Sequence, residues 1–273
     1  MERKVFSILE AYLQPTSDIS AATAAAQIDE LFPTDSLTGP AAETALTHFW
    51  SLFIVFVEQI PDWENPAQKK LIALIQALCQ LPNQRPLDLS GCDWNYGQLT
   101  LWKDLPTLDG VLVDNVESHA IIIADDSEDE KRSRVRNLNF QSFAAQLTAE
   151  GLFDVSRAAV YSFSGALEED PDSESIESAN KVGTHLDAYI LPINVWISLA
   201  AKRIWELCKV NGEGALRNDM PGGAHWTGKE GFSVERWQFW KQRLDEVAVT
   251  TEASDQTRAI AKAMKEKMVA VEA

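Results

Sequence analysis

Apolar and polar positions alternate with a helical period over most of this chain. Val5, Ile8, Leu9 and Tyr12 form one stripe, closed by Pro15. Ser17 or Ser20 is placed to cap a second helix through Ile28, Leu31 and Phe32 to Pro33. Pro40 opens a third, ending near Pro61, with Trp50, Phe53, Val57 and Ile60 on one face and Glu43, Thr47, Ser51 and Glu58 on the other. Asn65 caps a fourth with Pro66 in its first turn; Leu71, Leu74, Leu78 and Leu81 form its apolar row, and Pro82 stops it. The short, Pro-marked turns between them predict packed antiparallel helices.

The next stretch, 83–118, is punctuated by Pro, Gly and Asp, and Trp94 and Trp102 are expected to pin it to the helical body. Ile121, Ile122 and Ile123 suit a short strand. The acidic block from Asp125 to Glu130 reads as an exposed loop, offset by Lys131, Arg132, Arg134 and Arg136. Asn137 then begins a helix with Phe140, Phe143, Ala144 and Leu147 in register and Gly151 as its stop. A further helix covers Val155 to Leu167, Asp170 to Ser178 is a polar loop, and a long apolar helix follows, interrupted at Pro192. The segment Asn211 to Gly231 holds six of the 13 glycines and reads as a loop.

A strong local signal comes next. Ser233 is a natural N-cap, Glu235 lies in the first turn, and Phe232 is placed to staple onto Trp237. Trp237, Trp240, Leu244 and Val247 continue as an apolar stripe. The last helix, Ser254 to Val271, shows only Ile260, Met264 and Met268, which predicts loose packing or packing against a partner. The fold expected is all-α: a compact bundle or array of packed antiparallel helices with irregular, Trp-anchored loops. It forms a single helical domain over 1–273, loop-rich at 83–136 and 208–231.

Charge narrows the choice of partner. With 24 Lys+Arg against 41 Asp+Glu, the formal net charge is -17. Such a surface repels phosphate backbones and anionic headgroups, so neither nucleic acid nor membrane is expected as a partner. The apolar run Phe49–Ile60 is too short to span a bilayer, and Lys202 and Arg203 interrupt Tyr189–Leu207. The first ten residues lack the features of a signal peptide. Three cysteines, Cys79, Cys92 and Cys208, with no C-x-x-C pair, fit reduced thiols in the cytoplasm.

Four segments together resemble a fungal family catalogued as domain of unknown function three-six-three-two. They are Trp102-Lys103-Asp104-Leu105-Pro106, Asn137 to Ala144 (NLNFQSFA), Val195-Trp196-Ile197, and Phe232 to Lys241 (FSVERWQFWK). The resemblance spans about residues 45 to 248. It implies a fungal source and a helical fold, and it carries no catalytic residue across, because the family has no activity to transfer.

Candidate chemistry is sparse. Gly223 to Lys229 (GAHWTGK) matches the first seven positions of a phosphate-binding loop, but Glu230 stands where magnesium needs a Ser or Thr hydroxyl, and no strand precedes the loop. His48, His119, His185 and His225 lie far apart without zinc-ligand spacing, so no metal is expected. No G-x-S-x-G nucleophile elbow appears, since Ser162-Phe163-Ser164-Gly165 lacks the leading glycine, and no cofactor is expected. One constellation remains as a candidate pocket. His185 and Tyr189 share a helical face, Asp187 adjoins it, and Trp196 lies beyond Pro192 in an otherwise apolar segment. These residues suit the wall of a small-molecule site with His185 as acid or base. The reading favoured over it is a histidine satisfied by a neighbouring helix, since buried polar groups are generally paired. Of the tryptophans, Trp50, Trp196, Trp237 and Trp240 read as core, whereas Trp63, Trp94, Trp102 and Trp226 lie near turns, where pocket or interface roles fit better. With no catalytic pattern, the chain reads as a non-catalytic helical binding or scaffold protein of the cytoplasm. Its partner would be a protein or an apolar small molecule. The alternative is a cofactor-independent isomerase or cyclase acting on an apolar metabolite.

Overall fold

Ten helices and one short hairpin organise the chain in a computed structural model, which describes residues 1–32, 39–92, 96–118, 127–169, 182–215 and 219–273. Of the described residues, 66% are helical. Its contacts divide into two compact units, Met1–Glu117 and Ser118–Ala273.

In the first unit, helices α1 (Glu2–Leu13), α2 (Ala21–Asp29), α3 (Gly39–Glu58) and α4 (Pro66–Cys79) precede a hairpin of β1 (Pro86–Leu89) and β2 (Gly97–Thr100), and α5 (Leu108–Ser118) follows. Ser20 caps α2 by accepting from the Thr23 amide, and Asn65 caps α4 by accepting from Ala67. The antiparallel hairpin pairs Leu87 with Leu99 and Leu89 with Gly97. It was not expected; its signal is the alternation of exposed Pro86 and Asp88 with buried Leu87 and Leu89, only four residues long.

The core of this unit is aromatic. Phe32, Phe49, Trp50, Phe53 and Trp102 meet mostly edge-to-face, with Phe32 and Trp102 ring centroids 5.0 Å apart. Trp102 is therefore core rather than a pocket or interface residue. It lies in a tight stretch where Trp102, Leu105 and Thr107 all have positive φ, at 64°, 46° and 65°. Such backbone is costly for residues other than glycine and persists only where its surroundings over-determine it. Here they do. Trp102 Nε1 donates to Asp29 Oδ1 at 2.6 Å, the Lys103 amide donates to Gln84 Oε1, Asp104 accepts from the Thr100 amide, and the Pro106 carbonyl accepts from Trp50 Nε1 at 2.9 Å. Arg85 also pairs with Asp29.

The second unit contains α6 (Glu128–Ala149), α7 (Ser156–Leu167), α8 (Val182–Lys209), α9 (Val234–Val249) and α10 (Asp255–Ala270). The long α8 packs against each of the other four. Three sequence expectations are corrected here. First, α6 starts at Glu128, not Asn137. Ser127 caps it, Glu128, Asp129 and Glu130 occupy the positive first turn, and Lys131 and Arg132 pair back to Glu128 and Asp129. Second, α8 runs through Pro192 without interruption. The lost bond is one of many in a 28-residue helix, and buried Ile190, Ile193, Val195 and Trp196 hold both sides of the proline in the core. Third, α10 is not loose: Met264 and Met268 are buried with Thr257 and Ala261, small residues that widen the stripe against α8 and α9. The expected strand at Ile121–Ile123 and the polar loop from Asp170 lie outside the described residues.

Among the described residues, one helix, α3, is long and apolar enough to cross a membrane by length and composition. It is longer than its apolar run because Gly39 to His48 extend it, and it packs against α1 and β1.

Candidate functional site

Of the four residues expected to line a pocket, the three whose side chains are described are drawn to separate neighbours. His185 lies in the first turn of α8, and its side chain is outside the described residues. Asp187 accepts from the Ser254 amide at 3.1 Å and from its hydroxyl at 2.8 Å, which fixes the start of α10. Tyr189 lies over α7 where Gly165 permits close approach; a Cβ at Gly165 would meet its ring at 3.1 Å. Trp196 is fully buried and donates to Gln141 Oε1 at 2.6 Å, and Gln141 in turn donates to Asn137. One helix thus carries Asp187, Tyr189 and Trp196 to three different partners.

The glycine-rich loop has a different role from phosphate binding. Its centre is Arg236, fully buried in α9, paired with fully buried Glu168 at the end of α7. Arg236 Nε and Nη2 donate to Glu168 Oε1 and Oε2, both at 2.7 Å. Nη1 donates to the carbonyls of Met220 and Gly231, and Nη2 also donates to that of Pro221. All five guanidinium N–H groups are therefore used. The carboxylate also accepts from Trp240 Nε1 at 2.6 Å and from the Gly223 amide at 3.0 Å. The Trp226 and Trp240 rings lie within 5.9 Å and 5.5 Å of the guanidinium. The loop glycines serve this packing: a Cβ at Gly223 would sit 2.8 Å from the Glu168 backbone, and one at Gly228 would sit 2.4 Å from the Trp226 ring. Nearby, burial pushes the Cys208 thiol up, against a Ser233 backbone hydrogen bond and the Arg236 charge, so this cysteine is an inert core thiol.

A cavity lies in the first unit, between α1 and α3, with a volume of about 380 Å³. Along α3, Ala41, Thr44, Ala45, His48, Phe49 and Leu52 recur at helical spacing and face Val5 of α1. Ala41 and Ala45 are too small to fill the gap that larger side chains would close. Glu2 and His48 also line it, joined at 3.0 Å between Oε1 and Nδ1, with side chains 66% and 58% exposed. Sequence reasoning missed this site. Its signal is the pair of alanines four apart beside a threonine and a histidine four apart, on a helix otherwise rich in large apolar residues.

A second polar cluster in this unit surrounds Tyr96. Burial drives its hydroxyl up strongly, and the hydrogen-bonded Asp109 carboxylate and the charge of Glu43 add to that. Glu43, placed by periodicity on the polar face of its helix, is buried. Among the described residues, no group of three His, Cys, Asp or Glu side chains is placed to hold a metal ion.

Fold and sites define an all-α-class protein, helical but for one short hairpin, with a buried arginine–glutamate pair in one unit and an apolar cavity in the other. Residues 50–244 match the family model described as "Protein of unknown function (DUF3632)", and the chain belongs to that family. The matched region starts in α3, ends in α9, and includes both Glu168 and Arg236. Neither the curated proteins nor the solved structures gave a match.

Proposed function

We propose that this protein is a non-catalytic binding protein of the fungal cytoplasm that holds an apolar small molecule between α1 and α3. The carrying observation is the cavity itself. Its volume of about 380 Å³ falls within the roughly 300–1,000 Å³ of ligand pockets. Val5, Ala45, Phe49 and Leu52 line it with the exposed Met1, Ala41, Glu2, Thr44 and His48. No desolvated acid or base faces the apolar wall, which supports holding rather than converting the ligand. Cys79, Cys92 and Cys208, thiols rather than members of a disulfide, support a reducing compartment.

The neutral fluorophore N-phenyl-1-naphthylamine tests the reading. Its emission is expected to rise with the wild-type protein and not with Ala45→Trp, which fills the cavity, while both proteins keep the same circular dichroism and melting temperature. No rise with the wild type, or an equal rise with Ala45→Trp, overturns it.

A further inference from the structure

We propose that two copies of this chain pair antiparallel through α3, about the point midway between His48 and Leu52, so that each lies across the groove of the other. The outer side of α3 carries a stripe of Ala41, Ala45, His48, Leu52, Val55 and Gln59, at alternating spacings of four and three residues. That alternation is the seam of a helix pair. The inner side is already taken, since Leu46, Phe49, Trp50, Phe53 and Val57 fill the unit's own core. The stripe is not. Ala41, His48 and Gln59 are exposed, Ala45 and Leu52 are half-buried, and Val55 is 49% exposed. Of the most apolar 18-residue stretch of α3, only 44% is buried. Exposed Phe6 of α1 packs on half-buried Phe56, ring centroids 5.1 Å apart, and widens the face. A contiguous apolar surface of this kind marks an interaction site.

Charge, shape and size select a second copy as the occupant. A net charge of -17 repels a second copy wherever acidic surfaces meet. Along α3 they do not meet: Glu43 is buried, Glu58 is half-buried, and His48 is engaged by Glu2 of its own copy at 3.0 Å. Small residues occupy the first half of the stripe and larger ones the second. In an antiparallel pair, Ala41 faces the partner's Gln59, Ala45 the partner's Val55, and His48 the partner's Leu52, and the two-fold axis makes each contact twice. A parallel pair would leave a gap between the alanines and hold the helices apart at Leu52 and Val55. The face runs about 27 Å from Ala41 to Gln59 at roughly 1.5 Å per residue. With α1 packed beside α3 it is about 20 Å wide, two helix widths. Pairing would then bury about 500 Å² per copy, about 1,000 Å² in all, which reaches the lower bound for a specific interface.

Sedimentation velocity of the full chain at about 100 μM, a concentration suited to an interface near that bound, is expected to give twice the monomer mass of 30.3 kDa. Val55→Asp, a charge at an exposed position, is expected to sediment as a monomer with unchanged circular dichroism. Cysteines placed in a Cys79→Ser background read the register. In the antiparallel pair Val55 lies about 15 Å from the partner's Val55, and Ala45 about as far from the partner's Ala45. A disulfide needs a Cβ separation of about 4 Å. Val55→Cys and Ala45→Cys should therefore not cross-link alone, whereas the two proteins mixed and mildly oxidised should give a covalent dimer. A monomeric wild type, the result for a face that takes a lipid surface or a different protein, overturns the pairing, and so does a dimer that survives Val55→Asp. Cross-linking of Val55→Cys with itself, or none in the mixture, overturns the antiparallel register. Emission of N-phenyl-1-naphthylamine in the same samples keeps the two readings apart: a monomer that binds the dye rejects the pairing and retains the cavity.

Discussion

Glu168 and Arg236, 68 residues apart in sequence, face each other as a two-point fork, with two parallel N–H···O bonds of 2.7 Å and neither side chain exposed. Bidentate geometry and full use of the guanidinium donors offset the cost of taking both charges out of water. The pair also organises its surroundings. It collects the Met220, Pro221 and Gly231 carbonyls, the Gly223 amide and the Trp240 indole around one point. The motif Phe232–Lys241 is therefore the wall of this node, and its Arg236 is the centre.

Breaking one side of the pair is expected to be costly. Arg236→Met leaves a buried carboxylate with two neutral donors and should destabilise by about 3–5 kcal/mol. The double variant Glu168→Leu with Arg236→Met removes the orphaned charge and should recover a large part of that loss. Urea denaturation reads both; a single variant within about 1 kcal/mol of wild type would show the pair to be hydrated in solution.

The same helix separates packing from capping. Trp237 is fully buried and donates to Glu272 at 2.7 Å, so Trp237→Ala should cost about 3–5 kcal/mol. Ser233 accepts from the Arg236 amide at 3.0 Å, and Ser233→Ala should cost about 1 kcal/mol, the worth of an N-cap. Chemical denaturation of the two variants should rank them in that order.

Glu272 supplies a pH dependence. Burial alone would raise its carboxyl, but hydrogen bonds from Lys241 and Trp237, with the Lys241 charge, outweigh it and hold the group below the ordinary carboxylate range. A depressed folded value means stability that is present above the unfolded pKa and lost as pH falls through the folded one. Glu272→Gln should therefore lower the melting temperature at pH 7 and converge on wild type toward the acid end. A constant gap from neutral to acid pH would contradict this.

Magnesium ATP should leave the melting temperature unchanged. The loop Gly223–Lys229 turns its backbone inward: the Gly223 amide is given to Glu168, the His225 amide to the Glu168 carbonyl, and Trp226 Nε1 to the Lys229 carbonyl. The Gly223, His225 and Trp226 amides are thereby held within the protein, away from a phosphate. A stabilisation by nucleotide that disappears in Lys229→Ala would show the loop opening to bind.

How far the sequence could be read follows from how local each feature is. Helices α1 to α4, α7, α9 and α10 announce themselves through stripes and caps a few residues apart, such as Asn65 with Pro66 or Ser233 with Glu235. The start of α6 is ambiguous in sequence because Ser127-Glu128-Asp129-Glu130 satisfies two descriptions, an acidic loop and a capped first turn; the Ser127 cap and the pairing of Glu128 with Lys131 and of Asp129 with Arg132 decide for the second. The α1–α3 cavity depends on Val5 and Glu2 arriving opposite Ala41, Ala45 and His48, a matter of tertiary placement that periodicity within one helix does not contain. Arg236 stood in plain view beside Trp237, yet its meaning lay with Glu168. The segments that carry the family resemblance include Arg236, within FSVERWQFWK, but not its partner Glu168.

The loop from Met220 to Gly231 is tied at both ends: the Gly231 amide donates to the Met220 carbonyl at 2.8 Å, and Arg236 Nη1 donates to the Met220 and Gly231 carbonyls. Its length is consequently set by the guanidinium it encircles, as a belt is set by a waist. One added or deleted residue between Met220 and Gly231 would move Gly223 or Gly228 out of its close contact and put a bulkier neighbour there. Insertions and deletions among kindred chains should therefore gather outside this ring, and a scan of single-residue insertions along 211–231 should show an abrupt rise in lethality to folding at Met220.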